Sequence, residues 1–371
     1  MDFNVDQTVF PSTVHNLIYS TARGIIPLET SLSVITDGEM RSSCTAYHGF
    51  IMAMLSDMYD NPNKYHLPVM LLEDYCKGQK INGLKQRFPS KTKGIIAQTR
   101  NAIKNYTMFM HLLGTHGKME GDRLVVSSDI LTEYDKSLKG SVRPVSVDNL
   151  FEAMTRVGFV RNGNEITSIH FPNMFPALCA LAKQAKKWSG FDFFAFRNLD
   201  FRNLNDKYKP TYDDYFRPLI SDQKKRAYEL HNFAVFQKAK HTISTFWKVD
   251  YKYKGAQVMS ISSQVNMGEH TLEIRVMGTY NRDDPALIND RLMKETPDFQ
   301  KNVLRHVLRC DACSTSHLGM FVTVLGKRQR VCGGGAIAFK WKNPNDDDMA
   351  VIKRVIELRC EIIDELKKRT S

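Results

Sequence analysis

The 371-residue sequence lacks any apolar run approaching the ~18 residues of a membrane span. Its longest greasy stretch, residues 49–55, is far too short. The first ten residues carry two Asp and no Lys or Arg, which argues against a secretory leader. Cysteine is sparse and odd in number. Of Cys44, Cys76, Cys179, Cys310, Cys313, Cys332 and Cys360, four lie beyond residue 300. A secreted disulfide framework would be denser and more even. The expectation is a cytoplasmic protein with reduced thiols and no membrane partner.

Enzyme signatures are missing too. There is no GxxxxGK[ST] phosphate loop, no GxGxxG after a strand, no HExxH and no GxSxG. Gly333, Gly334 and Gly335 lead from one strand-like segment towards another, so they suit a bulge or turn better than a phosphate cradle. No catalytic residue is assigned. Internal repeats and low-complexity linkers are also lacking, so domain boundaries must come from changes of pattern.

What the chain has is enough apolar residue for real cores, 42%, and an excess of positive charge, +12. The charge is unevenly spread. Residues 1–90 hold 7 basic and 9 acidic residues, residues 91–190 hold 14 and 8, and residues 191–255 hold 13 and 8. A basic block of this kind suits a polyanion, because neutralised phosphates release counterions. It also suits a merely solubilising surface.

The pattern predicts an α+β, multi-domain chain. Residues 1–90 form a helical region, with helices over 39–58 and 68–76. Residues 91–190 hold a helix over 91–113, with Ile95, Ile96, Ile103, Tyr106, Met110 and Leu113 at helical spacing. A short strand over 123–127, helices over 128–138 and 147–157, a hairpin over 160–171 and a helix over 175–188 follow. Residues 191–240 are an aromatic and basic connector, strand-like over 193–201 and helical over 212–220 and 222–239. Residues 241–371 form an α+β domain with an antiparallel sheet. There Trp247, Val249, Tyr251 and Tyr253 alternate with Lys248, Asp250, Lys252 and Lys254, as in a half-buried strand. Further strands are expected over 272–276, 321–325 and 337–341, a long helix over 290–309, and a last helix over 345–369 with acid at its start and base at its end.

Three constellations could carry chemistry. Cys310 and Cys313, two residues apart, can face one ion from a tight turn, and Cys332 can return a third thiolate, as in a zinc ribbon whose turn is 327–330. His317 is the favoured fourth ligand, with His306 and Cys360 as rivals; the bland reading is reduced thiols without metal. Structural zinc is the one cofactor expected.

The second is the order helix, strand, helix, helix, hairpin over 91–171, which resembles a winged-helix module. The resemblance implies that the third helix enters the major groove and the hairpin lies along the backbone. Asn149, Thr155 and Arg156 would then face DNA, Arg161, Asn162 and Asn164 would sit in the wing, and Lys136, Lys139 and Arg143 would contact phosphates. Asp148 and Glu152 on the same helix count against it.

The third is the aromatic and arginine-rich stretch 191–217, which suits either stacked single-stranded bases or a core with snorkelling Arg stems. The core is the favoured reading.

The last third, through FWKVDYKYKGAQVMSIS, HTLEIRVMG and NPNDDDMAVIKRVIELR, resembles small bacterial gyrase-inhibitor-like effector domains. That implies a pocket for a small-molecule effector. The function expected from all this is a nucleic-acid-binding transcriptional regulator with a sensory or zinc-stabilised C-terminal domain. A cytosolic enzyme and a protein-interaction scaffold are the alternatives.

Overall fold

The computed structural model describes residues 13–67, 90–138, 146–185, 191–208, 211–217, 219–244, 248–266, 269–279, 283, 285–308, 320–331 and 337–370, with the backbone alone over 90–100 and at some strand positions. The fold is α+β. It divides into two compact units, Met1–Lys209 with Val265–Glu269, and Pro210–Gln264 with His270–Ser371. Among the described residues no helix is long and apolar enough to cross a membrane.

The first unit contains α1 (Thr13–Gly24), α2 (Leu28–Ser31), α3 (Gly38–Asp60), α4 (Ser90–His116), β1 (Lys118–Glu120), β2 (Arg123–Val125), α5 (Ser128–Leu138), α6 (Val147–Thr155), β3 (Phe159–Asn162), β4 (Glu165–Ser168), α7 (Phe175–Gln184) and α8 (Phe191–Arg197). Local chemistry marks the starts of these helices. Asp37 caps α3 by accepting from the Met40 amide at 2.6 Å, and Ser146 caps α6 from the Asn149 amide at 3.1 Å.

One core runs from Val14 to Phe201 through these elements, the exposed strand β1 apart. Aromatic rings join its parts. Phe109 of α4 stacks on Tyr134 of α5 at 5.8 Å and meets Phe151 of α6 edge-on at 5.0 Å. Phe159 of β3 lies 6.0 Å from Phe151 and 5.3 Å from Phe50 of α3. The segment 91–171 is therefore packed on the N-terminal helices and shares their core. At Gly114 the helices α4 and α7 approach so closely that a Cβ would lie 2.7 Å from that of Ala182.

The aromatic run expected as a strand over 193–201 is helix α8 followed by a 3-10 turn over Phe201–Leu204. Phe193, Phe194, Phe196 and Phe201 are all buried. Phe193 and Phe196, three positions apart, enter one core and stack on each other, which needs a helical turn, because a strand would point them to opposite faces.

The second unit contains α9 (Tyr212–Phe216), α10 (Ser221–Phe236), β5 (Lys240–Ser244), β6 (Lys248–Tyr253), β7 (Ala256–Asn266), β8 (Glu269–Met277), α11 (Pro285–Leu292), α12 (Pro297–Arg305), β9 (Met320–Val324), β10 (Lys327–Val331), β11 (Ala338–Lys342) and α13 (Asp346–Thr370). Strands β5 to β8 form a meander that β11 extends, in the order β11-β8-β7-β6-β5. Val249, Tyr251, Ile261, Leu272, Ile274, Val276, Phe339 and Trp341 point from it into a core shared with α10 to α13.

The single helix expected over 290–309 is broken into α11 and α12. Pro297 cannot continue a helix, and Thr296 caps a new one by accepting from the Phe299 amide at 3.4 Å. The strands β1, β5, β7 and β10 were not anticipated. The helix expected over 68–76 lies outside the described residues.

Candidate nucleic-acid interface

The order expected over 91–171, helix, strand, helix, helix, hairpin, is found as α4, β2, α5, α6 and β3–β4, with β1 added beside β2. Its strands form one sheet in the order β1-β2-β4-β3. Leu124 pairs with Ile166 and Val125 with Glu165, so the second hairpin is fastened to the first. The two-residue loop of β3–β4 is Gly163 and Asn164, with Gly163 at φ +61°.

Helix α6 buries Val147, Leu150, Phe151, Ala153 and Met154 and exposes Asp148, Glu152 and Thr155. Asn149 is half-buried. The Thr155 hydroxyl donates to the Glu152 carbonyl at 2.6 Å. The exposed side of the helix meant for the groove thus carries two carboxylates.

The nearby arginines are occupied. Arg156 donates to both carboxylate oxygens of Asp57 on α3, at 2.7 and 2.9 Å. Asp57 also accepts from the Tyr65 hydroxyl and from Asn61, each at 2.8 Å. Burial pushes the Asp57 pKa up, but the donors, led by Arg156 and Tyr65, outweigh it and hold the carboxyl below its ordinary value. Arg161 donates to the Gly163 carbonyl at 2.8 Å and to Asp148 at 3.2 Å, and lies 5.0 Å over the Phe151 ring. Arg123 pairs with Glu165 at 2.7 Å. Lys136 and Asn164 are exposed. Lys139 and Arg143 lie outside the described residues.

In the second unit, Cys310, Cys313, His317 and Cys332 lie outside the described residues as well. Among the described residues no group of three or more His, Cys, Asp or Glu is disposed to hold a metal. Both rivals for the fourth ligand have other commitments. His306 faces the Lys340 carbonyl through Nδ1 at 3.1 Å, faces Asp348 through Nε2 at 3.7 Å, and stacks on Trp341 at 5.1 Å. Cys360 is buried in α13, and burial pushes its thiol up to about 12, away from the thiolate a metal needs.

The turn expected over 327–330 is one step earlier, at Leu325 and Gly326, and Lys327 to Arg330 belong to strand β10. Both turn residues have positive φ, +53° and +72°, as a type I′ hairpin turn requires. The last ladder pair is Met320 with Val331, so Cys332 follows the ribbon by one residue.

The stretch 191–217 serves as core. In the first unit Phe193, Phe194, Phe196 and Phe201 are buried, and buried Arg202 forms a two-point pair with Asp200 at 2.7 and 2.9 Å. In the second unit Tyr215 and Phe216 are buried.

A cluster that the sequence did not point to lies among α9, α10, β5 and β6. His231 Nδ1 and the Tyr251 hydroxyl are 2.8 Å apart, the Tyr212 ring lies 3.8 Å from the His231 ring, and His241 lies 5.1 Å from Tyr212. Desolvation, then the neighbouring His241, lowers the His231 pKa, so the ring is neutral near pH 7. Burial pushes the Tyr212 phenol up to about 12. Its oxygen is buried and has no hydrogen-bond partner among the described residues. No spacing rule would have joined these four residues.

No protein-family model, no curated protein and no solved structure matches the chain.

Proposed function

We propose that the chain is a nucleic-acid-binding regulatory protein whose first unit contacts duplex DNA through the α5–α6 and β3–β4 region. One observation carries the reading: three helices, α4, α5 and α6, are closed by a hairpin, β3–β4, whose inner strand pairs with β2. The net charge of +12 supports it. Binding here rests on backbone contact by Lys136 and the wing loop at Asn164, since Arg156 and Arg161 are held by carboxylates. That division favours sequence-independent affinity over base readout.

Fluorescence anisotropy on a random duplex tests it. Affinity should fall steeply between about 50 and 200 mM salt, and Lys136→Glu should weaken binding and lower the salt slope by about 1. Binding that is undetectable at low salt would overturn the reading.

The second unit is proposed to be stabilised by zinc held by Cys310, Cys313, Cys332 and His317. Elemental analysis of the purified protein should give about one zinc per chain, and absorbance at 260 nm of the same sample reports bound nucleic acid. A second reading, an enzyme or effector-binding role for this unit, is favoured by the buried His231–Tyr251 pair and by the Tyr212 oxygen, which has no partner among the described residues.

A further inference from the structure

We infer that the β9–β10 ribbon is a binding surface for single-stranded nucleic acid. The inference extends the nucleic-acid reading but stands on the second unit alone.

The starting point is charge. Residues 312–345 contain no Asp or Glu, while Lys327, Arg328, Arg330, Lys340 and Lys342 lie among them, Lys340 being paired with Glu273 at 2.7 Å. Three of these five are in β10. The ladder is regular, with Thr323 opposite Arg328 and Phe321 opposite Arg330. Side chains alternate between the faces of a ribbon, so Phe321, Thr323 and Arg328 share one face. That face is open: Phe321 is 57% exposed, and Thr323 and Arg328 are exposed. Phe321 and Arg328 are diagonal neighbours, and the guanidinium lies 4.4 Å over the ring.

The surface is held in place. The Leu325 amide donates to Asn289 of α11 at 2.8 Å, which anchors the turn to the body of the unit. The outward face is thus presented by a fixed ribbon. Among the described residues no carboxylate pairs with Lys327 or Arg328. Arg123, Arg156 and Arg161 in the first unit each have one.

An exposed aromatic ring beside unneutralised cations fits one ligand chemistry best. The cations attract phosphates, and the ring offers a stacking surface to a base. Bases within a duplex are already stacked on one another, so the ring gains little there. A single strand supplies both partners at once. The buried rings of 191–217 cannot do this, whereas Phe321 can.

The test uses the full-length protein and a labelled oligothymidylate of about 20 nucleotides, read by anisotropy at low salt. Wild type is expected to bind, with Phe321→Ala and Arg328→Ala each weakening it by about tenfold. Phe321→Trp should retain binding, and its added fluorescence should be quenched by the strand. Lys136→Glu should leave this affinity unchanged while weakening the duplex, so failure of one reading is separable from failure of the other. Because Phe321 lies at the surface, its variants should keep the wild-type circular dichroism spectrum. Should Phe321→Ala fail to fold, the quenching of Phe321→Trp decides alone. The inference is overturned if wild type does not bind the strand, if Phe321→Ala binds as tightly as wild type, or if the tryptophan is not quenched. Loss of binding to anionic phospholipid vesicles in the same variants, with no binding to the oligonucleotide, would assign the ribbon to a lipid surface instead.

Discussion

Replacing Asp57 by alanine is expected to destabilise the first unit by about 2–3 kcal/mol and, at the same time, to tighten its binding to duplex DNA. A single carboxylate accepts two hydrogen bonds from Arg156, one from Tyr65 and one from Asn61. Tyr65 is fully buried, so removing its acceptor leaves a desolvated hydroxyl without a partner. Arg156 is far more exposed, and water compensates most of its loss. The variant frees its guanidinium at the C-terminal end of α6, beside the proposed duplex contact. Urea denaturation and duplex anisotropy on the same preparation measure the two effects. Lower stability with unchanged duplex affinity would show that Arg156 does not face the nucleic acid.

The same carboxylate makes a pH prediction. The folded-state pKa of Asp57 is held below its ordinary value. Its contribution to stability is therefore fully present above the unfolded-state pKa of about 3.9 and is lost as pH falls through the lower folded value. Asp57→Asn should flatten the acid limb of the stability profile of the first unit while leaving stability near neutrality closer to wild type than Asp57→Ala does.

Replacing Trp341 by alanine should cost the second unit about 3–5 kcal/mol, the largest stability loss expected here. Trp341 is fully buried on β11, at the edge of the five-stranded sheet. Its indole nitrogen donates to Asn302 of α12 at 3.2 Å, Asn302 donates to Asp348 of α13 at 2.7 Å, and the ring stacks on His306. Truncation opens a cavity and removes one donor from this chain of contacts. Trp341→Phe keeps most of the packing and should cost about 1–2 kcal/mol. Denaturation followed by circular dichroism should show the transition of the second unit moving while that of the first stays. A loss below about 1 kcal/mol for Trp341→Ala would mean that the edge of the sheet collapses onto the gap.

Much of the secondary structure was legible in the residues. The Ser146 cap and the alternation through Val249 and Tyr251 act within a few residues, so their effects are local; the expected helix over 290–309 ran through Pro297 and missed its effect. The break between α11 and α12 was present in the same signal, since Thr296 and Pro297 are a start mark. The aromatic run 193–201 misled because its preference for strands was overridden by burial of Phe193 and Phe196, three positions apart, in one core. The boundaries drawn at 90 and 190 are both crossed by the core of the first unit: Phe50 meets Phe159, more than a hundred residues further on, and His111 meets Phe193 and Phe196.

The candidate interface divides along the same line. Sequence by itself determined the composition of the basic regions and the order of elements around α6, because charge counts, caps and alternation are properties of neighbouring residues. Only the tertiary structure decided which cations are free to act. Asp57 reaches Arg156 across 99 positions, and Asp148 reaches Arg161 from the preceding helix, whereas Phe321 and Arg328 are left facing outward. A positive charge attracts phosphate only to the extent that no carboxylate already neutralises it, and the carboxylates that do so here are brought close by folding.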